Sequence, residues 1–389
     1  MAESFDIRRL ALPAFGPSLL FGIGEGAILP ILVLSAMQLV DSVAVAATMV
    51  ALLGVGSLLT NIPASIFTTR FGEKRAIVAA SVVGASGMLI CMLAEAISVL
   101  AAGIFIVGMS AAVFKLARLS YLTEAVPVPM RARALSTLGG VMRIGVFAGP
   151  FLGAGAIHLM NIGGAYLVGA AALCAAGILA GFMPDLPATG GVRSPSASLP
   201  VVVRNHSRAF LTIGTGIAMV NAVRACRQVI IPLWAAEIGL DAATAVLIFG
   251  LSGAIDMLIF YPAGKVMDTK GRLAVAIPSM LVMGAAFAIV PLTSGFTSLL
   301  CAALILGFGN GIGSGLVMTL GADASPKVDR AKFLGVWRLL SDCGASSGPL
   351  ALAGMTALFS LPAGIWLTST TALVAAATLW KWVPSNRNK

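Results

Sequence analysis

Apolar residues along this chain neither alternate with polar ones nor keep to one helical face. They form runs of ~20 or more separated by short polar breaks, the pattern of helices surrounded by an apolar medium on every side. A run such as AIVAASVVGASGMLICMLA, Ala76 to Ala94, is long enough as a helix to cross the ~30 Å hydrocarbon core of a bilayer. Twelve spans are expected, at about 11–36, 42–67, 76–94, 97–122, 135–158, 161–183, 209–235, 242–265, 273–293, 297–320, 333–359 and 362–383. A transmembrane barrel would show ~10-residue segments of alternating polarity instead, and no such segments occur. The pattern predicts an all-α membrane protein of twelve transmembrane helices.

Composition agrees. Of 389 residues, 59% are hydrophobic and 10% charged, against about 25% charged in an ordinary soluble domain, which excludes a soluble globular or a disordered chain. A net charge of +10 would suit nucleic acid, but its distribution points elsewhere. Lys and Arg collect in the amino terminus, the even-to-odd connections and the tail, as in Arg8, Arg9, Arg70, Lys74, Arg75, Arg131, Arg133, Arg193, Arg204, Arg208, Lys327, Arg330, Lys332, Arg387 and Lys389. The opposite connections hold none. By the positive-inside rule both termini are expected in the cytoplasm, in keeping with a multi-pass protein of a prokaryotic cytoplasmic membrane, and no nucleic-acid partner is expected. Cys91, Cys174, Cys226, Cys301 and Cys343 all fall in spans and read as small buried residues rather than disulfides or metal ligands. Trp234, Trp337, Trp366, Trp380 and Trp382 lie near span ends, where amphipathic rings favour the membrane interface. The first apolar run is too long for a signal-peptide core and reads as a retained span.

The longest polar interruption, Pro184 to Arg208, is rich in Pro, Gly and Ser. It divides the chain into two six-span bundles, 1–183 and 209–389, joined by a cytoplasmic linker, 184–208. A constant offset of 199 relates the halves: Gly54/Gly253, Pro63/Pro262, Gly72/Gly271, Gly108/Gly307, Pro127/Pro326, Arg131/Arg330, Gly145/Gly344, Gly149/Gly348 and Pro150/Pro349. Because these pairs include the residues that shape the backbone, in loops and spans alike, tandem duplication explains them. Six is an even number, so the repeats enter from the same side and are parallel about an axis along the membrane normal.

These residues resemble the major facilitator superfamily over essentially the whole chain. The loop SIFTTRFGEKR (Ser65 to Arg75) is similar to the family's G-x-x-x-D-R-x-G-[RK]-[RK] signature in Arg70, Gly72, Lys74 and Arg75, and departs from it at Ser65 and Thr69. Its counterpart GKVMDTKGR (Gly264 to Arg272) restores Gly264, Asp268, Gly271 and Arg272, with Thr269 where Arg is usual. The resemblance implies a loop that locks one conformation of an alternating-access transporter, a glycine making its tight turn. In span 5, GVFAGPFLGA resembles the antiporter branch's G-x3-G-P-x2-G-G motif in Gly145, Gly149, Pro150 and Gly153, with Ala154 in the last position. Small residues at this spacing let a helix approach its neighbour closely. Span 4 departs from that branch, having Ile104 and Val107 before Gly108 where Arg and Gln are usual.

Nine ionisable residues lie inside the expected spans: Glu25, Asp256 and Asp342 against Lys115, Arg118, Arg143, Arg224, Arg227 and Arg338. Each is costly in lipid unless it faces protein or water, so they line a cavity, pair, or, as near span ends for Arg118 and Arg338, snorkel to the surface. The three acids are the candidate proton-coupling groups and the six bases the candidate substrate-cavity charges. At offset 199 Glu25 is the counterpart of Arg224, and Arg143 of Asp342. The resemblance implies that spans 1 and 7 line the central cavity, which would set Glu25 opposite Arg224. A carboxyl alternately withdrawn from water and returned to it can load and release a proton, which makes Glu25 the expected carrier. Asp256 is the second candidate, with Arg143 as an expected partner. The basic excess hints at an anionic substrate.

Other patterns fall away. Gly344-Ala345-Ser346-Ser347-Gly348 matches a hydrolase G-x-S-x-G by letter but coincides with the helix-packing motif of the first half. The glycines of GFGNGIGSG, Gly307 to Gly315, lie in an apolar span and read as close packing or a flexible cavity wall. No nucleotide-binding P-loop pattern occurs. The expected protein is no enzyme and takes no cofactor. It is a proton-coupled exporter of a small organic molecule, sufficient as a monomer, with an importer or uniporter as the alternative and a non-transporting membrane protein such as a scramblase or receptor as a more distant one.

Overall fold

The structure is a computed structural model and describes residues 7–126, 128–184, 199–326 and 329–383. Most of the expected linker, together with Arg193, Lys327, Arg387 and Lys389, lies outside the described residues. Every regular element among the described residues is helical, as an apolar surrounding requires: only a helix satisfies all its backbone N–H and C=O groups within one segment. Among the described residues twelve long helical stretches follow one another: α1 (Ile7–Leu39), α2 (Val43–Phe71), α3 (Glu73–Met92), α4 (Ile97–Ala125), α5 (Val128–Met160), α6 (Gly163–Gly181), α7 (Ser207–Glu237), α8 (Ala242–Lys270), α9 (Leu273–Leu292), α10 (Phe296–Ala324), α11 (Arg330–Leu358) and α12 (Leu361–Trp382). A seven-residue helix, Leu199–Asn205, precedes α7.

Among the described residues, 11 helices are long and apolar enough to cross a membrane. The remaining one is α11. It has 29 residues, but Lys332, Arg338, Asp342 and a run of Ser and Gly dilute its apolar content.

The chain forms two compact units. One comprises Met1–Val40, Leu52–Thr189 and Ala242–Gly250, the other Asp41–Ala51, Gly190–Asp241 and Leu251–Lys389. The exchanged starts of α2 (43–51) and α8 (242–250) are themselves related by the offset of 199. In the first unit α1 packs most extensively on α5 and α6, and α3 on α4 and α6. In the second, α7 packs on α11 and α12, and α9 on α10 and α12, the same four pairings moved by six helices.

One shared contact shows how the repeat conserves a bond while exchanging its parts. In the first unit the Ser110 hydroxyl of α4 donates to the Ala80 carbonyl of α3 at 2.7 Å. In the second, Ser279 of α9, the counterpart of Ala80, donates to the Gly309 carbonyl of α10, the counterpart of Ser110, also at 2.7 Å. Each bond fastens two helices where lipid offers no hydrogen-bonding alternative.

Glycine sets the closest approaches. A Cβ at Gly145 would collide with the Leu19 carbonyl of α1, and one at Gly149 would lie 2.6 Å from the Ala27 amide nitrogen. At Gly153 the approach is looser, 3.3 Å from the Ala27 carbonyl. Gly344 and Gly348 of α11 meet the carbonyls of Ala218 and Ala222 of α7 in the same manner. The motif that resembles the antiporter branch is thus a seam between α5 and α1, and its hydrolase-like counterpart a seam between α11 and α7.

Two sequence expectations need correction. Only Cys91 and Cys226 are buried; Cys174, Cys301 and Cys343 are exposed on helix surfaces, where a small apolar side chain is equally at home against lipid. Trp234 and Trp337 are buried rather than interfacial. The indole N–H of Trp234 donates to the Thr293 hydroxyl at 2.8 Å, and that of Trp337 to the Val317 carbonyl at 2.9 Å. With that one polar group satisfied, each ring packs as a large apolar body.

Candidate functional site

Two in-span charges of the first unit, Glu25 and Lys115, meet between α1 and α4. Lys115 Nζ lies 2.6 Å from Glu25 Oε1, with the two side chains 29% and 18% exposed. The ammonium also lies 5.8 Å from the Phe21 ring centre, and Phe21 stacks on Phe114 at 4.2 Å between centroids. An aromatic wall on one side and a carboxylate on the other hold the ammonium in place. One turn beyond Lys115, half-buried Arg118 approaches the Met142 sulfur of α5 at 2.9 Å, so it packs against protein. Arg143 is half-buried on α5.

The second unit gathers a larger cluster between α7, α8 and α10. Arg227 donates to the Ser252 hydroxyl at 2.9 Å and stands 3.8 Å from the Asp256 carboxylate. Asp256 also accepts from the Asn310 side-chain amide at 2.5 Å. Arg224 donates to the Asn310 backbone carbonyl at 2.9 Å. That carbonyl is within reach because α10 breaks just beyond it. The α-helix ends at Ile312, Gly315 takes a left-handed φ of 81°, and a second piece, Leu316–Ala324, continues to the end. The Ser314 N–H reaches back only three residues, to the Gly311 carbonyl. A guanidinium supplies the polar partner that a broken span needs.

Arg338 and Asp342 pair with each other along α11 at 3.9 Å, with side chains 56% and 36% exposed. The structure therefore joins Glu25 to Lys115, and Asp256 to Arg227 and Asn310, each within one unit. Asn310 and Ser252 were not anticipated. Asn310 had a signal, since a lone carboxamide between glycines in an apolar span needs a partner.

The signature loops repeat a backbone device. Gly72 and Gly271 have φ of 83° and 88°, and a Cβ on Gly72 would meet nothing within 4 Å, so conformation and not space demands glycine there. Around the turns the side chains differ. Arg70 lies over the Phe71 ring at 5.6 Å, Glu73 accepts from Ser120 of α4 at 2.9 Å, Lys74 is half-buried and Arg75 exposed. In the second unit Gly264 is half-buried and Asp268 exposed. Arg272 grips both oxygens of Asp323, near the end of α10, at 2.7 and 3.3 Å. The hydrogen bond to Asp323, with the charges of Asp323 and Asp268, holds the guanidinium pKa above its usual value against a smaller desolvation effect.

The same helix pairings recur six helices on, and charged side chains pair within each unit, as in transporters built from internal repeats. The sequence matches the family described as Major Facilitator Superfamily over residues 18–328 and again over 229–389. The chain belongs to that superfamily. No curated protein matches it by sequence. Among solved structures, a POT family transporter in complex with 5-aminolevulinic acid shares its fold with a TM-score of 0.79 at 12% identity, covering 98% of this chain and 97% of that one. A bacterial homolog of the human lysosomal transporter Spinster, inward-facing and unoccupied, gives 0.77 at 16% identity over 98% and 97%. A D-xylose-proton symporter gives 0.75 at 17% identity over 98% and 99%. The chain is a multi-pass membrane protein with the fold of transporters rather than of enzymes.

Proposed function

We propose that the protein is a proton-coupled exporter of a small anionic organic molecule, working by alternating access. Twelve spans form two bundles, 1–183 and 209–389, with the 184–208 linker and both termini in the cytoplasm. A monomer in a prokaryotic cytoplasmic membrane suffices. The observation that carries this reading is the basic excess inside the spans, Lys115, Arg118, Arg143, Arg224, Arg227 and Arg338 against Glu25, Asp256 and Asp342. Glu25 and Lys115 form one balanced pair, and Arg224, Arg227 and Asp256 gather around Asn310 in the second unit. The balanced pair suits a proton carrier, because protonating Glu25 releases Lys115. The cationic excess suits an anionic group on the substrate. Proton coupling has a precedent in the xylose-proton symporter of the same fold. Export rests on the resemblance of Gly145, Gly149, Pro150 and Gly153 to the antiporter branch, and the departures at Thr69, Ile104 and Ala154 favour an importer or uniporter as the competing reading.

The test is reconstitution in liposomes with a trapped pH dye, adding cationic, neutral and anionic compounds to wild type and Glu25→Gln. Substrate-dependent proton flux that prefers anions and disappears in the variant is the expected result. Solute movement with no proton flux would remove the coupling, and a preference for cations would remove the substrate class.

A further inference from the structure

Within the second unit an open cavity of about 310 Å³ lies among α7, α11 and α12, lined on α7 by Thr215, Ala218, Met219, Ala222, Val223 and Cys226, with Ser347, Ala351 and Leu367 exposed at its mouth. At 100° per residue, Thr215, Ala222 and Cys226 point about 160–180° away from Arg224 around α7. The cavity therefore occupies the face of α7 opposite Arg224.

The offset of 199 shows what is unusual about this space. Ala218 and Ala351 stand where the first half has Leu19 and Leu152, so bulk has been removed. Four lining hydroxyls, Thr215, Ser347, Thr368 and Thr371, stand where the first half has Gly16, Ala148, Gly169 and Ala172. The second half thus has small side chains at 218 and 351 and hydroxyls at four positions around them, where the first half has none.

The hydroxyls have a fixed sense. Thr215 donates to the Thr212 carbonyl at 2.7 Å, Ser347 to Gly344 at 3.0 Å, Thr368 to Gly364 at 3.1 Å and Thr371 to Leu367 at 2.8 Å. Their hydrogens are spent on their own helices, leaving lone pairs to accept. Thr215, Ser347, Thr368 and Thr371 are therefore the acceptors on offer. No charged side chain lines the space, which disfavours an ion.

We propose that this cavity binds an uncharged small molecule with an apolar body and a hydrogen-bond donor, a phenol or an alcohol, at a site separate from the charged cluster. A cavity of 150 Å³ takes a benzene, so this one accommodates about ten heavy atoms. The site does not depend on the proposed coupling or direction of transport.

The test uses the full chain in nanodiscs, with its thermal unfolding midpoint followed against 4-propylphenol and against 4-propylanisole, which lacks the donor. The phenol should raise the midpoint saturably, and the anisole should need about fivefold more for half its effect. Thr371→Val with Ser347→Ala should bring the phenol to the anisole's level. Ala218→Leu should abolish saturable binding of both, and Ala351→Leu carries the same test if that variant does not fold. Arg224→Gln should leave the phenol effect intact. Equal, non-saturating shifts in wild type and the filled variants, or loss of the effect in Arg224→Gln, would overturn the proposal.

Discussion

The Lys115 ammonium on α4 lies 2.6 Å from the Glu25 carboxylate on α1, joining residues 90 positions apart in the sequence. The bond ties together two helices that otherwise share little contact compared with α1 and α5. A pair in this setting is coupled energetically, since removing either member strands the other's charge.

Lys115→Met alone should therefore destabilise the protein by ~2 kcal/mol, and Glu25→Gln with Lys115→Met should recover most of that loss. Unfolding in detergent of the two single variants and the double variant closes the cycle. A loss in the double variant equal to the sum of the two single losses would mean that the two charges do not support each other.

Asn310→Ala should cost ~1–2 kcal/mol by removing the amide donor to Asp256, while leaving the backbone carbonyl that holds Arg224. Asp256→Asn should be milder, because an amide can still accept from Asn310. Thermal melts of both rank them, and the reverse order would show that the Asp256 charge matters more than its hydrogen bond.

Two glycines of α5 should respond in opposite ways to valine. At Gly149 the new side chain would meet the Ala27 backbone, with an expected cost of ~3 kcal/mol and loss of folded yield. At Gly155 nothing lies within 4 Å of a Cβ, and the variant should fold like wild type. Gel-filtration profiles after extraction distinguish them.

Arg272→Gln should lower stability by only ~0.5 kcal/mol, and less in high salt, because the Asp323 partner is 48% exposed. The sign of its pH dependence follows from the raised guanidinium pKa. A raised folded-state value gives stability that is full below the ordinary Arg range and fades only as pH climbs past it. The difference between variant and wild type should thus stay flat from about pH 6 to 10 with respect to Arg272 ionisation. Melts across that range check it, and a decline through neutrality would assign the effect to another group.

The spans, the repeat and the turns at Gly72 and Gly271 were legible because each depends on residue type at a position: apolar length, Gly and Pro in register, a φ open to glycine. The small-residue seams were legible as motifs, though the identity of the partner helix was not. Side-chain pairing was less accessible. Hydropathy says that Glu25 and Lys115 are buried charges but not how α1 and α4 are rotated toward one another, and cross-half symmetry pointed at Arg224 instead. Lipid also blurs inside and outside: Cys226 in the core and Cys174 on the surface sit in equally apolar runs. The break in α10 was written only as alternating glycines, and its consequence, an exposed carbonyl met by Arg224, required coordinates.

That break divides α10 into arms of 17 and 9 residues. The shorter arm is about 13 Å long, with Val317 near its start tied to Trp337 and Asp323 near its tip tied to Arg272. It is a lever with its fulcrum at Gly313–Gly315: a tilt of about 10° sweeps the tip through roughly 2 Å. Such a sweep is comparable to the length of the Arg272–Asp323 bond. A small rotation at the fulcrum is enough to make or break that clasp, while the longer arm keeps its place against α9.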